Sequence, residues 1–250
     1  MTRVTRGLGR LRRLSDRFMG KRADVSPVLQ PLKTGLIDRA FGDLGLKSFA
    51  DLGGVWAVEA GYTFHALEHF QVNRGVLVDS GITPTVREKA GRFPQLELVD
   101  GNFGDPSMPA RVGNVDAVLL FDVLLHQVAP DWDEILAAYA PFTRAFLVVN
   151  PQYVRGAETV RLLDLGRERY LELVPKLPLH DEAFDRLDEF HPSYGRPFRD
   201  IHEIWQWGIV DSDLDRVLAD LGFRRVYREN GGTWFGLDAF EAHSFLYAKD

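Results

Sequence analysis

Cysteine is missing from all 250 residues. That excludes disulfides, thiolate metal ligation and a cysteine nucleophile. Long apolar runs are missing too, since no stretch approaches the ~20 residues a membrane-spanning helix needs. The basic start has no apolar block followed by a cleavage site, and adjacent Arg12 and Arg13 are no export signal by themselves. These absences lead to the expectation of a cytoplasmic location. Basic charge is scarce after the first 24 residues, which hold eight Arg or Lys against two acids and leave 22 bases against 34 acids, a net of −12, for the remainder. So acidic a body is a poor nucleic-acid platform, and no nucleic-acid partner is expected. In the opening segment Leu8, Leu11, Leu14 and Phe18 recur at helical spacing between arginines. This reads as a solvated helix packing one apolar edge on its own domain or on a partner subunit, with weak contact to an anionic surface as the alternative. Nothing in the sequence selects an oligomeric state.

What is present is a 45% hydrophobic chain, enough for one large α/β domain. It is organised around residues 48 to 82. A short apolar strand ends in Asp51-Leu52-Gly53-Gly54, a loop leads into an apolar-faced helix, and a second strand, Val76-Leu77-Val78, ends in Asp79. Glycines let backbone approach a ligand where a Cβ would clash, and a helix N-terminus offers unpaired N–H groups. An acid at the next strand end accepts hydrogen bonds from ribose hydroxyls. Asp51 and Asp79 side by side, one facing a cationic amino-acid moiety and the other a ribose, would suit S-adenosylmethionine.

The remaining elements follow in order. Pro27 and Pro31 precede an apolar series, Leu36, Ile37, Ala40, Phe41 and Leu44, that predicts a helix before the sheet. Thr83-Pro84-Thr85 starts a short helix, Leu96 to Val99 forms a third strand, and Val115 to Phe121 a buried fourth. Asp131 caps a helix through Ala140, and Ala145 to Val149 forms a fifth strand ending at Asn150-Pro151. Asp211-Ser212-Asp213 supplies N-cap candidates for a late helix ended by Gly222. Phe223–Tyr227 and Ser244–Ala248 are expected to close the sheet as a hairpin-like pair through Gly231-Gly232 and Phe235-Gly236. The predicted fold is a doubly wound, Rossmann-like, mostly parallel seven-stranded sheet with helices on both faces and ligand at its carboxyl edge. The expected organisation is a basic arm and cover helix over residues 1–45 and an α/β domain over 46–250. Within the latter, 151–210 is a helical, aromatic insertion before the last strands, too long for a simple connection and suited to a lid that binds the acceptor. Residues 155–174 and 181–190 read as helical. His191-Pro192-Ser193-Tyr194-Gly195-Arg196-Pro197-Phe198 and His202 to Trp207 place rings beside imidazoles, as an acceptor pocket or as core packing.

Strand-Asp-Leu-Gly-Gly, strand-Val-Asp, Gly101-Asn102-Phe103-Gly104-Asp105 and Phe121-Asp122-Val123-Leu124-Leu125-His126-Gln127-Val128 occur in that order. In this the chain resembles class I S-adenosylmethionine-dependent methyltransferases, over roughly residues 45 to 150. The resemblance implies S-adenosyl-L-methionine as cofactor, held by Asp51, Gly53, Gly54, Asp79, Ser80, Asn102, Phe103 and Phe121. Asn102 and Asp105 would be the polar partners of the adenine and Phe103 the stacking one, with an Asx-rich turn as the plain alternative. The family's second and third loop glycines fall here on Val55 and Ala57, and Gly61 would be a late substitute. The implied reaction is methyl transfer to a small-molecule hydroxyl of a sugar or secondary metabolite. His126 would be the base because the family's fourth strand end faces the methyl, with His191 and His202 in reserve.

No metal is expected. His65-Ala66-Leu67-Glu68-His69 has the His-x-x-Glu-His spacing of zinc sites without a third ligand, and Asp122 with Asn150 would hold magnesium only weakly. A non-catalytic relative of the same fold is the main alternative. A nicotinamide-dependent oxidoreductase is disfavoured because the compact Gly-x-Gly-x-x-Gly turn is absent.

Overall fold

The computed structural model describes residues 28–176, 178–192, 195–202 and 204–249. The basic arm with Leu8, Leu11, Leu14 and Phe18 lies outside the described residues, as do Ser193, Tyr194 and Glu203 of the aromatic loops. In chain order come α1 (Pro31–Asp38), β1 (Ser48–Leu52), α2 (Gly61–His69), β2 (Arg74–Asp79), α3 (Pro84–Ala90), β3 (Leu96–Asp100), α4 (Met108–Val112), β4 (Val115–Phe121), α5 (Trp132–Tyr139) and β5 (Thr143–Tyr153). The insertion adds β6 (Val160–Arg161), α6 (Arg167–Leu173), α7 (Pro178–Asp185), β7 (Phe190–His191), β8 (Arg196–Pro197) and β9 (Trp207–Gly208). The chain closes with α8 (Asp211–Asp220), β10 (Arg224–Trp234) and β11 (Leu237–Ala248).

The main sheet has the order β10-β11-β5-β4-β1-β2-β3, parallel except for β11, which runs antiparallel to both neighbours. The apolar runs of its inner strands are continuous because both faces are covered, so every position in the pleat is a core position. Ala50, Leu52, Val76, Val78, Val118, Leu120, Phe146 and Val148 pack under α4, α5 and α8. Their alternates Phe49, Leu77, Ala117, Leu119, Leu147 and Val149 pack under α1, α2 and α3. Helix starts follow the sequence signals: Thr83 Oγ1 accepts the Val86 N–H at 3.1 Å, and Glu134 accepts the Asp131 N–H at 2.8 Å in a capping box. After β3 the chain crosses back to place β4 beside β1. The strand order therefore reverses between β1 and β4, where open α/β sheets hold ligands.

Several sequence expectations are corrected. β5 runs on to Tyr153, so 151–153 belong to the sheet and the insertion starts after them. The helix expected over 155–174 shrinks to α6, preceded by β6 and a tight 3₁₀ turn over Leu162–Leu165. The closing hairpin is longer than predicted. Its turn lies at Phe235-Gly236, both at positive φ, while Gly231-Gly232 fall inside β10 at a register shift. Asp211 and Asp213 do not cap α8 from its N-cap, which is Val210; Asp211 meets His243 and Arg228, and Asp213 accepts the Thr159 N–H at 2.7 Å.

Candidate active site

At the carboxyl ends of β1, β2 and β4 stand Asp51, Asp79 and Asp122. Asp51 is 1% exposed and accepts a hydrogen bond from the Thr63 hydroxyl in the first turn of α2. Burial pushes its carboxyl up to about 6, and the negative charge of Asp79 adds to the effect. The loop above follows from this carboxylate. A Cβ on Gly54 would lie 2.4 Å from Asp51 Oδ2, so residue 54 has to be glycine for loop and acid to coexist. Asp79 holds the same loop, accepting the Val55 N–H at 3.0 Å on Oδ2, while its Oδ1 accepts the Gly81 N–H at 2.7 Å in the turn that follows β2.

The loop runs from Gly53, at φ +78°, to the start of α2, with Ala57, Glu59 and Ala60 also left-handed. Non-glycine residues avoid this region at a cost of roughly 1 kcal/mol or more each. The backbone thus keeps glycine-like turns at residues that are not glycine. Gly61, the late glycine of the sequence reading, has a different reason: its missing Cβ leaves room for Leu29, whose Cδ2 would lie 2.5 Å away. Trp56, at the loop tip, is 71% exposed.

On the other side of Gly53 lie Phe103 and Val123, whose side-chain atoms would be 3.3 and 3.0 Å from a Cβ there. Tyr139 donates its hydroxyl hydrogen to the Phe103 carbonyl at 2.9 Å, holding that turn from below. Asn102 and Asp105 form local turns, Asn102 Oδ1 accepting the Gly104 N–H at 2.9 Å and Asp105 Oδ1 the Ser107 N–H at 2.8 Å. Both are exposed, as is Ser80. Phe121 packs edge-on against Tyr62 at 5.4 Å, one layer below the edge.

Beyond β4 the histidines are fixed by carbonyls. His126 Nδ1 lies 3.1 Å from the Ile204 carbonyl, which can only accept, so Nδ1 carries the hydrogen and Nε2 the lone pair. Burial drops the imidazole to about 4, helped by neighbouring His202 and His180. His202 donates from Nδ1 to the His126 carbonyl at 3.2 Å and accepts from Arg196 on Nε2 at 3.2 Å. The structure thus joins His126, His202 and Arg196 in one chain, whereas His191 stands apart on β7 against the Phe198 ring at 4.6 Å. Trp205 and Phe198 are core residues of the insertion, at 7% and 2% exposure, and do not line an open aromatic pocket. Trp207 donates its indole N–H to the Gln127 carbonyl at 2.7 Å.

Sequence reasoning missed Lys33. Its ammonium reaches from α1 to Asp122 Oδ2, and the side chain is 7% exposed. One signal was available: a lone lysine one turn before an otherwise apolar helix face. Asn150, next to Asp122 in the magnesium reading, accepts the Leu125 N–H at 3.3 Å and donates to the Pro151 carbonyl at 3.0 Å. The charge of Asp122 is thus met by a lysine, and the amide is engaged locally. His65 meets Asp38 at 2.7 Å and the His69 ring at 4.6 Å; among the described residues no cluster of three or more metal-ligating side chains forms.

No protein-family model matches the chain, and no curated protein sequence matches it. Solved structures do. The chain is similar to the 1,6-didemethyltoxoflavin-N1-methyltransferase of Burkholderia thailandensis, crystallised with 1,6-didemethyltoxoflavin and S-adenosylhomocysteine, at TM-score 0.58 and 14% identity over 97% of this chain and 87% of that one. The N-terminal domain of EvdMO1, crystallised in the presence of S-adenosylhomocysteine and D-fucose, matches at 0.57 and 11% identity, covering 100% of this chain and 99% of that one. The mitomycin 7-O-methyltransferase MmcR matches at 0.51 and 17% identity over 97% of this chain, but this covers only 58% of MmcR. These likenesses define the architecture: the chain has the class I methyltransferase fold.

Proposed function

We propose that the chain binds S-adenosylmethionine at the β1–β2–β4 edge and transfers its methyl group to a small-molecule acceptor. The observation that carries this reading is the loop between β1 and α2, held by Asp79 at Val55 and packed by Gly54 against the Asp51 carboxylate, where a Cβ would collide. The residues fit the cofactor. Asp51 and Asp122 offer negative charge to a cationic amino-acid arm, Asp79 stands at the β2 end where a ribose would lie, and Phe103 offers a ring beside Gly53 to the adenine. When bound, the cofactor supplies an electrophilic methyl group. The chain's part is to hold an acceptor in line, exclude water and take a proton. His126 is the proposed proton acceptor through Nε2. Its low basicity keeps it neutral from mildly acidic to alkaline pH, which preserves the lone pair and limits the drive for proton transfer.

A hydroxyl on a sugar or secondary metabolite is the proposed acceptor. Its support is the company of mitomycin 7-O-methyltransferase and a domain crystallised with D-fucose, while the toxoflavin enzyme makes nitrogen the competing acceptor atom. The proposed setting is the cytoplasm, with a small molecule and no nucleic acid as partner. A non-catalytic binding protein of the same fold is the second reading, favoured by a loop that has Val55 and Ala57 where the resembling family has glycines and that holds Ala57, Glu59 and Ala60 in left-handed conformation.

Calorimetric titration with S-adenosylmethionine and S-adenosylhomocysteine, with NAD as control, tests the class. Micromolar binding of the sulfur ligands, weakened about 100-fold or more in Asp79→Ala, is the expected result, equivalent to about 2.7 kcal/mol. Folded protein that binds neither ligand would leave the non-catalytic reading in first place.

A further inference from the structure

Asp122 is the one site carboxylate that two independent features set apart. It sits in left-handed backbone, at φ +58°, immediately after β4, its N–H pinned to the Val149 carbonyl at 2.7 Å. Of its two oxygens, Oδ2 receives Lys33, and Oδ1 is buried with no hydrogen-bond partner among the described residues. A pair kept purely for stability would have both oxygens bonded, because an unmet buried acceptor costs free energy that a bonded one does not. The orphan oxygen faces a missing donor.

Lys33 is equally unusual in coming from the cover helix and not from the sheet. Its ammonium lies 5.2 Å from the Tyr62 ring centroid, in the first turn of α2, and its charge acts on Asp51 as well as on Asp122. Two carboxylates on adjacent strand ends, Asp51 and Asp122, therefore share a field with one buried lysine. Any cation entering the site meets the carboxylates' attraction and the lysine's repulsion together.

We propose that Lys33 and Asp122 form a charge-selecting pair in the ligand site: Asp122 presents its free oxygen to a ligand donor, and Lys33 sets how much positive charge that ligand brings. The inference rests on the cofactor reading above and goes beyond it by assigning discrimination between a sulfonium and a thioether to two residues outside the glycine loop. S-adenosylmethionine and S-adenosylhomocysteine share the adenosine, the ammonium and the carboxylate, and differ by one methyl and one positive charge at sulfur. Their affinity ratio therefore reads the field at that atom. With Lys33 in place the ratio is held down.

The test is calorimetric titration of the full chain and two variants with both ligands, in mildly alkaline buffer where free carboxylates are ionised, after thermal melting has shown each protein folded. Lys33→Met should raise affinity for the sulfonium relative to the thioether by about tenfold, the order expected of a unit charge a few ångströms away. Asp122→Asn leaves the lysine uncompensated and should move the ratio the other way by a similar factor. Opposite shifts support the pair, and either folded variant alone is decisive by its sign. An unchanged ratio, or one that moves the same way in both, overturns the pair and leaves the cofactor reading standing. Binding of neither ligand by the unaltered chain overturns both.

Discussion

The carboxyl edge of the sheet and the insertion behind it use opposite hydrogen-bonding economies. In the insertion several polar side chains are donors aimed at carbonyls, His202 to His126, Trp207 to Gln127, and Gln206 to Arg199 and Ile201, and His126 in the turn after β4 donates back to Ile204. Irregular backbone leaves carbonyls without ladder partners, and these side chains supply what strands would otherwise provide. At the edge the polar side chains are acceptors. Asp51, Asp79 and Asp122 take donors from Thr63, Val55, Gly81 and Lys33, and one Asp122 oxygen has none among the described residues. A region whose side-chain donors mostly meet carbonyls is a wall; an acceptor-rich one suits a donor-bearing, cationic ligand.

That contrast breaks if a change in the wall disturbs the edge. Trp205 is 7% exposed, stands edge-on to Phe240 at 5.1 Å, and its backbone N–H donates to the Tyr170 hydroxyl at 3.1 Å. Trp205→Ala should cost about 3–5 kcal/mol of stability, as for other buried aromatic truncations, while affinity for S-adenosylhomocysteine in the folded fraction stays unchanged. Chemical denaturation paired with calorimetry measures both. Affinity falling in step with stability would make wall and edge one unit.

A smaller effect is expected where the two regions touch. His126→Gln keeps a donor for the Ile204 carbonyl and removes the Nε2 lone pair, so methyl transfer at saturating ligands should fall by about 10²-fold, the low end for a general base. S-adenosylhomocysteine binding should not change. Transfer within a few-fold of normal would return His126 to a purely structural role.

The edge was the more legible region because its rules are local. Asp51-Leu52-Gly53-Gly54 and Val78-Asp79 announce strand ends, and the pairing of β1 with β2 follows from the apolar runs between them. The alternative offered for Asn102 and Asp105, a self-closed Asx turn, is the geometry both adopt. Lys33 was not legible as a site residue, since its meaning lies in a contact with Asp122, 89 positions away. The insertion was hardest for a related reason. Helical spacing over 155–174 is matched equally by a chain that alternates between β6, a 3₁₀ turn and α6, and only the contacts of Leu162, Leu163 and Tyr170 with distant Phe198, Ile204 and Phe240 select it.

The finest separation of the two regions is by pH, because their buried groups titrate with opposite sign. Asp51 has a folded value of about 6 against an ordinary 3.8, so between those values the folded chain binds more protons than the unfolded one. Its contribution to stability is complete below 3.8 and declines as pH rises through 6. Burial also raises Asp122, in the same direction. His126 has a folded value of about 4 against 6.5, so over nearly the same interval the unfolded chain binds more protons, and its contribution is complete above 6.5 and declines as pH falls through 4. In the unliganded protein the two slopes oppose, and the melting temperature should change little on their account from pH 4 to 6.5. Removing one exposes the other. His126→Gln should melt lower as pH rises across that window, and the double variant Asp51→Asn with Asp122→Asn lower as pH falls. Ligand binding isolates the edge, since a cation beside Asp51 favours its ionised form. Affinity for S-adenosylmethionine should therefore fall about tenfold between pH 7.5 and pH 5, one unit below the folded value, with proton release visible in buffers of different ionisation enthalpy. A flat affinity over that range would mean the ligand's charge does not meet Asp51.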